Sequence, residues 1–453
     1  MQGYSHVKKT ELLQQTVAGD TKKASIGFGC YRIAQKEPMH REALIYAIEN
    51  GIHLIDTSGN YSDGESEEVI GEVLVELFAK EYSLRREHIY LISKYGYING
   101  QNLARYEAGL KFPDTVEYNP QLMHCIHPEF MKDQLTRSLQ RLKTSYLDCY
   151  LLHNPEYYIL KNISKFQSAD KRADDAAVHA EMLRRISLAF EYLEQEVVHT
   201  GRVKSYGISS NSFSLKEEDP HFLPYSSLLS LAEAAAVKIS GEGSHHHFTT
   251  VQFPANLVEK EALSHAVQWA SRNHLNVLIN RPLNAFLDKG SWRLADYPDK
   301  SDELLAVSHE LKEECMELKF HKVLEALKES EQCVMGEFAM SFFEWENYLE
   351  GYLYPTIRKT VMEDRLDSSQ RALDKLQAWI DLLCSVANHK SGVHTRDFLT
   401  RKLHYSIPER TPLQEFALKF LLQTPGVSYV LVGQRRIEYV DNILHVLKDI
   451  KNS

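Results

Sequence analysis

Four polar residues stand where apolar runs of the chain stop. Asp56 closes "IHLID", Tyr61 follows five residues later in a loop of small and turn-forming residues, Lys94 follows "HIYLIS", and His153 closes "LDCYLLH". Together these types form a proton-transfer set. A phenol is too weak an acid at neutral pH unless a nearby cation stabilises its phenolate. Lys94 is the candidate cation, Asp56 would pair with it and hold it, and His153 would donate a hydrogen bond to a substrate oxygen. Each residue alone also has a plain structural reading: an aspartate at a strand end is a turn or helix-cap residue, and a tyrosine, lysine or histidine is packing or solvated surface. Four of them at the ends of three successive strands point instead to a site.

The elements that must position them follow a regular alternation. Short runs rich in Val, Ile, Leu and Tyr ("SIGFGC" at 25, "IHLID" at 52, "HIYLIS" at 88, "LDCYLLH" at 147, "VKSYGIS" at 203, "FTTVQF" at 248, "LNVLIN" at 275, "VSYVLVG" at 427) are separated by segments of helical period. After Pro128, for example, Met131, Leu135, Ser138, Leu139 and Leu142 recur on one helical face. Strand and helix alternating in this way marks a parallel sheet, and eight units predict an α/β fold of the (β/α)8 barrel type. In such barrels the chemistry lies on the loops after the C-terminal ends of the strands, so Asp56, Tyr61, Lys94 and His153 are expected at one mouth.

The stretches "IDTSGNYSDGESEEVIG", "LISKYG", "QLTRSLQRLKTSYLDCYLLHNPE", "GRVKSYGISS", "VQFPAN" and "VGQRRIEYVDN" occur in the order seen in aldo-keto reductases, and the chain resembles that superfamily over about residues 25–282 and 411–445. The resemblance implies that Asp56, Tyr61, Lys94 and His153 match the family's catalytic tetrad. It implies an NADP cofactor, with NAD as the alternative, and an aldehyde, ketone, alcohol or sugar as the small-molecule substrate. The lone "GFG" at 27 is not the glycine fingerprint of a Rossmann domain, and this family does not need one.

Further positions follow from the resemblance one at a time. Gln252 looks like the contact to the nicotinamide carboxamide, with Asn256 structural. In "GISSNSF" Ser209 matches the family's serine, while the neighbouring amide contact falls to Ser210 or Asn211. In "INRPL" Asn280, followed by Arg281, takes the place where many members stack an aromatic ring on the nicotinamide. Gly433, Gln434 and Arg435 resemble the adenosine end, where backbone N–H groups and a guanidinium would meet a 2′-phosphate, and Arg436 is an equal candidate for that charge. The family's terminal Glu-Asn pair is shifted here to Asp441 and Asn442.

Composition narrows the function further. The 453 residues are 43% hydrophobic and 25% charged with a net charge of -10, which argues against a surface that tracks nucleic-acid phosphates. No run approaches the roughly 20 apolar residues of a membrane span, and the first residues have no apolar signal core, so a cytoplasmic protein is expected. Six scattered cysteines fit reduced thiols, and the histidines at 245–247, His124 and His127 lack the spacing of a zinc site, so no metal is expected. The length exceeds a plain barrel of roughly 250 residues. The expected organisation is an N-terminal segment at 1–24, a barrel formed by 25–282 and 411–453, and a mainly helical insertion at 283–410 with Leu376, Ile380 and Leu383 on one face. Smaller insertions follow Lys94 and His153. The insertions are read as a cap over the site, with an oligomerisation surface or an appended helical bundle as the other reading of the largest. A cofactor-binding accessory subunit with little turnover is the alternative to an oxidoreductase.

Overall fold

The protein is described by a computed structural model covering residues 24–80, 84–163, 172–287, 290–336, 341–365 and 369–452. The expected N-terminal segment falls almost wholly outside these residues. Eight parallel strands close a barrel: β1 (Ser25–Gly29), β2 (Leu54–Asp56), β3 (Tyr90–Tyr95), β4 (Cys149–His153), β5 (Tyr206–Ser209), β6 (Phe248–Pro254), β7 (Asn276–Asn280) and β8 (Tyr429–Gly433). Their order around the barrel is their order in the chain, and β8 pairs with β1 to close it. All eight fall on the runs expected from sequence. The helices of the barrel include α1 (Pro38–Glu49), α2 (Glu65–Ala79) and α3 (Pro128–Arg141). None of the described helices is long and apolar enough to cross a membrane.

Strand geometry explains which residues enter the interior. Leu54, Tyr90, Ile92, Cys149, Leu151, Leu278, Tyr429 and Leu431 form one buried cluster inside the barrel. Side chains two residues apart share a face of a strand. The step of two from Leu54 reaches Asp56, from Ile92 reaches Lys94, from Leu151 reaches His153, and from Leu278 reaches Asn280. The polar residues are therefore the last inward layer on top of an apolar one. The ladder holds them at neighbouring levels: Gly29 pairs with Asp56 on one side and Gly433 on the other, His153 with Ser209, and Ser209 with Gln252.

Outward-facing residues lock the helices on. Ser93 donates to Glu67 of α2 at 2.5 Å, and the same buried carboxylate accepts from Arg141 of α3 at 2.6 and 2.8 Å. Gly71 lets these helices touch, because a Cβ there would lie 2.2 Å from the carbonyl oxygen of Arg141. The segment after Lys94 forms a small antiparallel sheet of Tyr97–Ile98, Leu122–His124 and Val116–Asn119, with a helix over Gly100–Glu107.

The chain divides into two compact units. One contains the barrel. The other comprises Asn256–Glu259 and Leu283–Leu418, so it extends beyond the 283–410 limits drawn from sequence. It contains a hairpin of Asn284–Leu287 with Gly290–Arg293 and helices that include Ser301–Glu317, His321–Met335, Tyr354–Asp364 and Gln370–Asp397. Its own core gathers Leu311, Leu327, Leu353, Trp379 and Leu383, and the apolar face of Leu376, Ile380 and Leu383 is buried in it. Asn256 is structural, as expected: its side-chain oxygen accepts from the backbone N–H groups of Val258 and Glu259.

Candidate active site

The site is assembled on the loop after β2. The chain leaves Asp56 still bonded across the barrel, with Thr57 donating to the carbonyl of Ile92 and Gly59 to that of Lys94. Thr57 and Ser66 join hydroxyls at 2.8 Å, and Ser66 donates to the carbonyl of Cys30. Between them the backbone turns through positive φ at Ser62, Asp63 and Gly64. Gly64, at φ +101°, enters a conformation that suits only glycine, and the two side-chain oxygens of Asp63 accept from the N–H of Gln101. This tight turn folds Tyr61 back over the barrel end.

Lys94 lies at the centre of the result and is fully buried. Its ammonium donates to Asp56 Oδ2 at 2.6 Å, to the carbonyl of Thr57 at 2.9 Å and to the phenol oxygen of Tyr61 at 3.2 Å. Gln252 donates to the other oxygen of Asp56 at 2.8 Å, Ser209 donates to Gln252 Oε1 at 3.0 Å, and Asn280 donates to the same oxygen at 3.4 Å. One polar chain therefore runs from the phenol through Lys94 and Asp56 to β5, β6 and β7.

The electrostatics follow from burial and from that chain. Burial pushes the Tyr61 phenol up to about 12, with the Lys94 ammonium opposing and the Asp56 carboxylate adding to the rise. Burial works against the Lys94 charge, but the carboxylate of Asp56 and its hydrogen bond outweigh it, and Lys94 is held above its ordinary range. His153 is driven well below its ordinary value by burial, then by Lys94 and His124, so its ring is neutral. At neutral pH the site holds an ammonium against a carboxylate, with a protonated phenol and a neutral imidazole beside them. The phenol oxygen accepts from Lys94, which leaves its own proton free for another acceptor.

His153 joins through Ser58. The hydroxyl of Ser58 lies 2.6 Å from Asn60 Oδ1, 3.3 Å from the carbonyl of Lys94 and 3.2 Å from His153 Nδ1. Its one proton goes either to an oxygen of Asn60 or Lys94, with Nδ1–H then donating to the hydroxyl oxygen, or to Nδ1, which leaves Nε2 as the protonated nitrogen of the neutral ring. The rings of Tyr61 and Tyr97 meet His153 edge-on at 5.9 and 4.7 Å between centroids, and Tyr31 meets Tyr61 at 5.1 Å. His124 is buried, lowered to about 4 by that burial, and its Nε2 is bonded to the carbonyl of His153 at 2.7 Å. No metal-binding cluster of His, Cys, Asp or Glu occurs among the described residues.

The structure thus brings together Asp56, Tyr61, Lys94, His153, Ser209, Gln252 and Asn280. The hydroxyl of Ser210 and the backbone N–H of Asn211 both donate to the buried carboxylate of Glu156, and Asn211 itself is exposed. Arg281 follows Asn280 in the left-handed region at φ 53°. Gly433 ends β8 level with Gly29, and Gln434 behind it is wholly buried. Arg435 and Arg436 both act electrostatically on His40 of α1, so the charge at this end is shared. Asn442 is exposed on the helix Ile437–Asn452, where its neighbour Asp441 accepts from Tyr46 at 2.8 Å. Sequence reasoning missed Ser58, Glu67, Tyr97, Arg141 and Glu156, none of which lies at a strand end facing inward. Glu156 alone left a trace, as a carboxylate three residues after His153.

Residues 25–218 match the family described as the aldo/keto reductase family. The aldo-keto reductase YhdN of Bacillus subtilis is 23% identical over 300 residues, covering 64% of this chain and 68% of YhdN. Over residues 25–218 this chain is similar to the aldo-keto reductase superfamily. Two further relatives align over shorter stretches: the oxidoreductase YqkF of B. subtilis is 28% identical over 41% of this chain, and the methylglyoxal reductase YeaE of Escherichia coli is 31% identical over 30% of it. The aligned stretches span under half of either relative, 45% of YqkF and 37% of YeaE. Among solved structures, the aldo-keto reductase AKR11C1 of Bacillus halodurans matches with a TM-score of 0.45 at 18% identity, covering 94% of this chain and 87% of that one. The matched region ends just beyond β5, so the strands that supply Gln252, Asn280 and Gly433 lie outside it.

Proposed function

We propose that the barrel is an NAD(P)-dependent oxidoreductase that transfers hydride between a nicotinamide dinucleotide and an aldehyde or ketone, or the corresponding alcohol or sugar, with Tyr61 as general acid. The observation that carries this reading is the buried Lys94 ammonium, which binds Asp56 at 2.6 Å and the Tyr61 oxygen at 3.2 Å. As a carbonyl oxygen gains charge, Tyr61 gives it a proton, and the phenolate left behind faces an ammonium already fixed in place. A charge pair in a buried site gains more than it would in water and needs no reorganisation at the moment of reaction. Asp56 keeps Lys94 charged and oriented, and His153, neutral and tied to Ser58, donates from Nε2 to the substrate oxygen.

The residues present fit a dinucleotide. Asn280 Oδ1 is buried without a hydrogen-bond partner, beside a Gln252 whose amide is already bonded to Asp56 and Ser209. An unsatisfied buried acceptor is costly, and the N–H2 of a carboxamide would satisfy it. Gln434 Oε1, next to Gly433 and Arg435, is a second buried acceptor with no partner. When bound, the dinucleotide supplies the hydride chemistry. Ser209, Gln252 and Asn280 would hold its nicotinamide end, and Gly433, Gln434 and Arg435 its phosphate-bearing end. NADP is preferred to NAD on the strength of that arginine. Methylglyoxal, the substrate class in the name of YeaE, is one small carbonyl to test.

The test is oxidation of NADPH and of NADH by the purified chain against a panel of aldehydes and ketones, with Tyr61→Phe as the control. Turnover by the native chain and none by the variant is the expected result. Tight dinucleotide binding with no turnover on any carbonyl or alcohol would favour an accessory subunit instead.

A further inference from the structure

Glu156 is almost wholly buried, lies three residues after His153, and takes no part in the proton transfer described above. Its two oxygens hold one turn. Oε2 accepts from the hydroxyl of Ser210 at 2.8 Å and Oε1 from the N–H of Asn211 at 2.9 Å, while the Ser210 oxygen accepts from Ser212 at 3.1 Å. The same turn begins at Ser209, whose hydroxyl reaches Gln252, and Gln252 reaches Asp56. Backbone bonds tie both ends: Asn154 donates to the carbonyl of Ser209 at 2.7 Å and Ser210 to that of Gln252 at 2.9 Å. Glu156 thus stands behind the turn that presents Ser209 to the barrel mouth.

We infer that Glu156 is a positioning residue for the dinucleotide, fixing the Ser209–Ser212 turn through Ser210 and Asn211, and that its hold on the turn depends on whether its carboxyl carries a proton. The inference rests on the cofactor reading given above. An ionised carboxylate accepts both bonds. A protonated one must donate to the Ser210 oxygen, which strands the hydroxyl proton of Ser210 and loosens the turn. Among the described residues, the titratable groups that feel its charge are the phenols of Tyr97 and Tyr157, and both are raised, first of all by burial. They stay neutral while Glu156 titrates. Burial lifts the Glu156 carboxyl to about 7, against the hydrogen bonds from the turn, so the change falls near neutral pH.

The experiment measures NADPH affinity by fluorescence across pH 6 to 8 (the range is roughly one unit either side of the Glu156 midpoint) for the native chain, Glu156→Gln and Ser210→Ala. The native chain is expected to bind about threefold to tenfold more tightly at the alkaline end. Glu156→Gln, nearly the same shape but unable to titrate, should lose that contrast. Ser210→Ala removes a donor to the charged form and should move the midpoint upward, which keeps the inference testable if Glu156→Gln fails to fold. The same pH contrast in the native chain and both variants, or none in the native chain, overturns the role of Glu156 while leaving the cofactor reading intact. No binding of either NADPH or NADH by the native chain at any pH removes the cofactor reading, and this inference with it.

Discussion

Replacing Lys94 by methionine tests whether the central charge pair does what the geometry assigns to it. Lys94 is fully buried and Asp56 nearly so, and the two meet at 2.6 Å. Lys94→Met leaves Asp56 Oδ2 without its ammonium while Oδ1 keeps Gln252. Breaking a buried pair from one side costs about 3 to 5 kcal/mol, because the remaining charge is uncompensated. Asp56→Asn strands the ammonium with only the Thr57 carbonyl and the Tyr61 oxygen, and should cost about the same. The double variant carries no buried charge at this point, so its cost should stay near that of one single variant. The expected coupling is therefore about 3 kcal/mol or more. Tryptophan fluorescence is the wrong assay, because Trp292, Trp345 and Trp379 lie in the helical unit and only Trp269 in the barrel unit. Hydrogen exchange of peptides covering 54–67 and 88–95 reads the barrel directly. Additive costs in the double variant would show that the two charges do not depend on one another, and the account of Lys94 as a cation held for Tyr61 would fail.

Tyr61→Phe should lower turnover by about two orders of magnitude or more while leaving NADPH affinity within a few fold, since in the proposed reaction the phenol gives a proton and is not a main cofactor contact; kinetics and binding on one preparation check it. Arg435→Ala should weaken NADPH more than NADH by roughly 1.5 to 3 kcal/mol, less if Arg436 compensates, and equal losses would remove it from phosphate reading. The raised carboxyl of Glu156 binds its proton more tightly in the folded chain than in the unfolded one. Its contribution is complete below pH 4.5 and is lost as pH rises through about 7. Barrel stability should fall over that window by about 3 kcal/mol, and a Glu156→Gln chain should lack the fall when unfolding is followed by hydrogen exchange. Trp379→Ala should cost the helical unit about 3 to 5 kcal/mol, and exchange in the barrel strands should stay unchanged if its core stands alone.

The eight strands, their order and the polar layer at their ends were legible in the sequence because alternation is a local signal. Leu54 to Asp56, Ile92 to Lys94 and Leu151 to His153 are each a step of two along one strand, and the strand itself turns both residues inward. The family resemblance supplied the remaining site positions. Other features had no local signature. Glu67 and Arg141 look like any charged helix residues until α2 and α3 cross closely enough at Gly71 to bury them as a pair. The hydroxyl of Ser210 and the backbone N–H of Asn211 both meet Glu156, a residue more than fifty positions away that the parallel pairing of β4 and β5 brings alongside, and no local pattern announced that partner. The difference has one physical cause. A strand's alternation is fixed by backbone geometry within a few residues, whereas the partner of a buried charge is fixed by which distant segments the closed barrel places within hydrogen-bond reach, and burial then makes that partner obligatory.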